Sequence, residues 1–193
     1  MIKNTLILML IGVSAFGQAV KTKPGTISDT STYIINKETN SYKLIEPGKA
    51  VGHIALFTDA MQATAEWGTP DKKVAGNGSS ILTWYDAHDS TGHALTIYSG
   101  ALNAKKHSTE NVIKQIRITS PEYKTINDVH TGMSLTEIKT IYKLIPKLWD
   151  GKKIYDDARA GIAFEFDEHR KCTAIIVHGA NNLSPALSKG EGA

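Results

Sequence analysis

The stretch Val129-His130-Thr131-Gly132-Met133-Ser134-Leu135-Thr136-Glu137-Ile138 constrains this chain more than any other. It reads as a strand end, a glycine turn and the capped start of a helix. The Ser134 side chain can accept a hydrogen bond from the Glu137 backbone N–H, and Glu137 can reach back to the Ser134 N–H. That capping box satisfies donors the first helical turn would otherwise leave unpaired. Leu135, Ile138 and Tyr142 follow at helical spacing, which predicts a short helix with one apolar face, ending near Ile145-Pro146. A looser version of the same order occurs over residues 51–68. There Thr58 or Asp59 can cap a helix running to about Trp67, and Gly68-Thr69-Pro70-Asp71 stops it.

Strand-like runs follow each predicted helix. After the first come residues 81–86 and 94–99, a hairpin joined across His88-Asp89-Ser90-Thr91-Gly92-His93, and then residues 112–118. After the second come residues 153–155, 161–167 and 173–178. Taken in order, Thr58 corresponds to Ser134, Leu95 and Ile97 to Ile162 and Phe164, and Ile116 and Ile118 to Ile175 and Val177. The expected fold class is therefore α+β, with two related helix–antiparallel-sheet units over residues 51–120 and 121–180 and short helices packed on one face of the sheet. A linker and short hairpin, residues 18–50, precede them, with strands expected at 33–35 and 42–45; a tail of turn and linker composition, residues 181–193, follows.

Alternation assigns the faces of these strands. Ile162, Phe164 and Phe166 should point to the core with Leu82, Trp84, Leu95, Ile97, Ile116 and Ile118. Tyr85, Tyr98, Arg117, Glu165 and His178 should then share the opposite face, which an antiparallel sheet can offer to a partner. These five are the candidate binding residues, and the loop over residues 100–110 is a second candidate contact.

The N-terminus has the three parts of a secretory leader: Lys3 in a basic first region, an apolar run over residues 6–13, and Ala15-Phe16-Gly17 as a small-x-small cleavage signal. Residues 1–17 are expected to be a signal peptide cleaved after Gly17, leaving Gln18 first and the protein periplasmic or secreted. No cysteine stands at that point to carry a lipid, and no later run is apolar and long enough to span a bilayer.

A formal net charge of +3, with Lys and Arg interspersed among Asp and Glu, lacks the basic stripe of a nucleic-acid binder. The single cysteine, Cys172, rules out an intramolecular disulfide; it begins an apolar run and reads as a small buried residue. Gly-x-Ser-x-Gly, Ser-x-x-Lys, His-Glu-x-x-His and P-loop signatures are absent, so no catalytic residue and no cofactor is assigned. Gly76-Asn77-Gly78-Ser79 reads as a turn before a strand. Asp86, His88, Asp89 and His93 form the densest polar cluster, with side chains competent to hold zinc or copper. Good turn chemistry at the end of a hairpin explains the same residues. The adjacent carboxylates Asp156-Asp157 and Asp167-Glu168 read as solvated loop residues.

Gly132-Met133-Ser134-Leu135-Thr136-Glu137-Ile138, and Trp67-Gly68-Thr69-Pro70-Asp71 followed by Ile81-Leu82-Thr83-Trp84-Tyr85, resemble the SmpA/OmlA-like and β-lactamase-inhibitor-protein-like repeats of the bacterial envelope. The resemblance covers roughly residues 51–179 and implies tandem copies forming one curved sheet whose open face binds a protein. This chain departs from those families in lacking a lipid-bearing cysteine and disulfides. The expectation that results is an exported, non-catalytic module that binds another protein or an envelope component. An inhibitor of a secreted enzyme or toxin is the second reading, and a metal-dependent hydrolase centred on Asp86, His88, Asp89 and His93 the third.

Overall fold

The computed structural model describes residues 41–76, 78–101, 111–149 and 152–181. The expected leader, the strand at 33–35, most of the 100–110 loop and the tail lie outside the described residues. The elements, in chain order, are β1 (Leu44–Glu46), β2 (Ala50–Val51), β3 (Ile54–Ala55), α1 (Met61–Trp67), β4 (Lys72–Gly76), β5 (Ser79–Tyr85), β6 (Ala94–Ala101), β7 (Asn111–Ile118), β8 (Lys124–Thr125), α2 (Leu135–Lys139), β9 (Ile145–Trp149), β10 (Lys152–Asp157), β11 (Ile162–Phe166) and β12 (Cys172–His178).

Eight strands form one antiparallel sheet in the order β4-β5-β6-β7-β12-β11-β10-β9. The order is palindromic: two four-stranded meanders meet through their last strands, β7 against β12. A smaller sheet runs β3-β2-β1-β8, with β1 and β8 parallel. The strands are β-branched and alternate in polarity, which suits a pleated surface with one apolar face.

The α+β expectation is corrected here: the fold is predominantly β. Among the described residues the helices α1 and α2 are only seven and five residues long, against twelve strands. Two local features account for the difference. The helix expected to run to Ile145-Pro146 ends at Thr140, whose hydroxyl donates to the Glu137 carbonyl. Residues 145–149 instead pair with β10 as an edge strand, the place in a sheet where a proline is tolerated. The run Lys72–Gly76, of which only Gly76 was assigned, to a turn, is the opposite edge strand β4.

The cover expected from helices is supplied largely by the small sheet. Ile45, Val51, Ile54 and Leu56 join Ala63 of α1 and Ile138 of α2 against Leu82, Trp84, Leu95, Ile97, Ile116, Ile118, Ile162, Phe164, Ile175 and Val177 of the large sheet. Eight of those ten are residues that alternation assigned to the core face; Phe166, also assigned there, is partly buried against the cluster. Ile175 and Val177 join by register, with Trp84, Leu95, Ile118 and Ile175 in one row across four strands.

The capping box is present. Glu137 N–H donates to Ser134 Oγ at 3.3 Å, and the Glu137 carboxylate accepts from the Ser134 N–H at 2.7 Å. The two sheets touch through a pair of glycines. Gly48 N–H donates to Gly161 O at 3.1 Å, and a Cβ on Gly161 would stand 2.6 Å from Gly48 Cα and 2.5 Å from His178 O.

Candidate functional site

The Trp67-Gly68-Thr69-Pro70-Asp71 segment organises one end of the large sheet. Gly68, at φ 77°, ends α1 by donating its N–H to Thr64 O, a conformation that suits glycine. Its own carbonyl accepts the Trp84 indole N–H at 3.0 Å, and the Trp67 and Trp84 rings meet edge-on at 5.5 Å. Asp71 accepts the Tyr85 N–H at 2.7 Å and meets His88 Nδ1 at 2.6 Å; these two bonds, the backbone one first, hold its carboxyl below the usual range.

The β5–β6 connection then turns on itself. Asp86 N–H donates to His93 O at 2.8 Å, and Asp89 accepts both the N–H and the hydroxyl of Thr91. The four residues considered as metal ligands are thereby divided. His88 is committed to Asp71 and Asp89 to Thr91, while Asp86 and His93 face a cleft. Among the described residues, no group of three or more His, Cys, Asp or Glu side chains is arranged to hold a metal ion.

That cleft has a volume of ≈ 270 Å³. Trp67, Trp84, Tyr85 and Tyr123 supply its aromatic walls, and Lys43, Asp86, His93, Ser120 and Glu122 its polar groups. Trp67, Tyr85 and Tyr123 are half-buried, whereas Trp84 belongs mainly to the core. The small sheet delivers one side of it: Lys124 N–H donates to Lys43 O, and the Lys43 ammonium pairs with the Glu122 carboxylate. The hydrogen bond to Glu122 raises the Lys43 pKa, and the same bond lowers that of Glu122. Burial pushes the Tyr123 phenol up. Ser120 Oγ accepts the Glu122 N–H at 3.4 Å.

The face expected to bind a partner is differently furnished. Arg117 makes two bonds of 2.8 Å to Glu165, reaching from β7 across β12 to β11. His178 is fully buried; its Nε2 meets Asp156 Oδ1 at 3.0 Å and its Nδ1 faces Gly179 O at 2.9 Å. Lys147 reaches the other Asp156 oxygen at 2.5 Å. Burial pushes the Asp156 carboxyl up, but the bonds from His178 and Lys147 outweigh it and hold it below its ordinary value.

Asp156 was read as a solvated loop residue and is 1% exposed, because β10 runs through it and alternation turns it onto this face. The small side chain of Ala163, its cross-strand partner on β11, lets it reach His178 on β12. Tyr98 lies on the same face, in register with Gln115 and, beyond it, His178. Tyr85 is at the strand's end and lines the cleft. The five expected residues thus divide: Tyr85 belongs to the cleft, Arg117, Glu165 and His178 to internal polar pairs, and Tyr98 to the face between.

Cys172 is buried, its thiol pushed up to about 12 by burial, which fits a packing residue. No helix among the described residues is long and apolar enough to cross a membrane.

No protein-family model and no curated protein matches this chain. Among solved structures it is similar to a crystal structure of an extracellular protein containing an SCP domain from Bacillus anthracis str. Ames, with 10% sequence identity and a TM-score of 0.42 over 65% of this chain. The chain spans 44% of that protein's length.

Proposed function

We propose that the chain is an exported, non-catalytic binding module whose contact site is the cleft at the end of β5 and β6. One observation carries this reading. Three half-buried aromatic side chains, Trp67, Tyr85 and Tyr123, line a concave site whose walls are pinned by the Trp84–Gly68 and Tyr85–Asp71 hydrogen bonds. Aromatic rings held on rigid elements give large contact area at little entropic cost, and such residues are enriched where proteins bind. The leader-like residues 1–17 support export to the periplasm or beyond. The resemblance of the Gly132–Ile138 and Trp67–Asp71 motifs to envelope binding scaffolds supports the same class.

The test is affinity capture from envelope and culture-medium fractions, run in parallel with wild-type protein and a Tyr85→Ala/Tyr123→Ala variant of unchanged circular dichroism. A partner held in stoichiometric amount by the wild type and lost by the variant supports the cleft. Equal retention by both removes the cleft as the contact site.

A further inference from the structure

Resting on that reading, we propose that the cleft receives a basic side chain, lysine or arginine, exposed on the partner protein. At ≈ 270 Å³ the cleft has room for one long side chain with water around it, and is too small for a helix or strand. Its walls carry the aromatic rings of Trp67, Tyr85 and Tyr123, residues whose π faces attract a cation and whose apolar surface accepts the alkyl stem behind it. Its rim carries two carboxylates, Asp86 and Glu122, against one ammonium, Lys43. That ammonium is already neutralised, since Lys43 pairs with Glu122. The Asp86 carboxylate makes no hydrogen bond or salt bridge among the described residues and is exposed at the mouth. The rim therefore carries one more negative than positive charge, beside aromatic rings.

The other classes of occupant fit this chemistry poorly. An anionic group would meet Asp86 and Glu122 at close range. A purely apolar side chain would strip water from the Asp86 carboxylate and give nothing back. A lysine or arginine satisfies the carboxylate with its charged head while its stem lies along the rings. The guanidinium of arginine adds a planar surface that stacks on them.

The proposal predicts opposite signs for two variants at the same rim. Asp86→Asn removes the excess negative charge and weakens binding. Lys43→Gln releases Glu122 to face the ligand and strengthens it. A residue that merely holds the cleft together would not improve binding when removed.

The experiment titrates the full chain with N-acetyl-arginine amide and N-acetyl-lysine amide, followed by tryptophan fluorescence and by the indole N–H signals in NMR. The Nε-acetylated lysine analogue and inorganic phosphate serve as the neutral and anionic probes. The expected result is saturable binding of the two basic probes and at least a fivefold weaker response from the acetylated analogue. Asp86→Asn should weaken the basic probes several-fold, Lys43→Gln should tighten them, and added salt should weaken them. Equal binding of the neutral analogue, preferential binding of phosphate, or no response to any probe overturns the proposal. The capture experiment stands apart from this one. A partner that depends on Tyr85 and Tyr123 but not on Asp86 leaves the binding cleft in place and removes its preference for a cation.

Discussion

The indole N–H of Trp84 donates to the carbonyl of Gly68 at 3.0 Å, tying the last turn of α1 to the end of β5. This one bond joins the helix stop to the sheet and fixes one wall of the cleft. Trp84→Phe keeps most of the apolar burial and deletes the bond. A loss of about 1 kcal/mol is expected in chemical denaturation, with weaker occupancy of the cleft by any ligand.

The glycine contact between the sheets separates two sources of strain. Gly161 has φ 76° and no room for a Cβ, whereas Gly132 has φ 91° and nothing within 4 Å of the position. Gly132→Ala should therefore cost only backbone strain, about 1 kcal/mol. Gly161→Ala adds collisions with His178 O and Gly48 Cα and should cost about 3 kcal/mol or more, read as a much larger fall in melting temperature.

Asp156 is the hub of a buried polar group, with His178 on one oxygen and Lys147 on the other. Asp156→Ala leaves the buried His178 Nε2 and the Lys147 ammonium without their partner and should destabilise by about 3 kcal/mol. Hydrogen exchange should quicken most along β12, which carries His178. A change under about 0.5 kcal/mol, the range of ordinary surface substitutions, would show that this group contributes little.

Acid should unfold the protein through carboxylates of this kind. Burial pushes Glu165 up, but its bonds to Arg117 prevail and leave it below its ordinary value of 4.5. A depressed folded-state value means the stabilisation is complete above the unfolded value and is lost as pH falls through the folded one. Asp156 has the same sign, from an ordinary value of 3.8. Stability from denaturation curves at a series of pH values should stay level down to about pH 4.5 and fall below it. Glu165→Gln should make that fall shallower.

Cys172 gives a simple check of the core. The residue is 3% exposed, and burial pushes its thiol up to about 12. A thiol reagent at neutral pH should leave the folded protein unlabelled and react fully once denaturant is added.

What the sequence disclosed depended on the range of the interaction. The Ser134–Glu137 capping box is a matter of three residues and was readable in full. The long alternating strands were readable too, and with them the parity of the core face, since Leu82, Ile97, Ile116 and Ile162 follow from period two alone. β4 and β9 were obscured because Lys72-Lys73-Val74-Ala75-Gly76 alternates weakly and Pro146 looks like a terminator. The two-residue strands of the small sheet are set by tertiary pairing and carry no local signature. In the site, Tyr85, Asp86 and His93 were each singled out from the sequence. Lys43 and Glu122 were not, because they meet only through the parallel pairing of β1 with β8, far apart in the chain. The adjacency of Asp156 and Asp157 suggested a solvated turn, although strand parity, applied one residue further, would have placed Asp156 on the sheet.

The palindromic strand order also bears on how the chain folds. Within each meander every strand pairs with its neighbour in sequence, so both can form from local contacts. The β7–β12 seam alone joins distant parts of the large sheet, through register pairs from Gln115–His178 to Ile118–Ile175. Closing that long loop carries the largest entropic cost of any pairing in the sheet, which places the rate-limiting step at the seam. Until it closes, each half presents an unpaired strand edge that a second chain can capture, so the seam is where exchange of halves between molecules would begin.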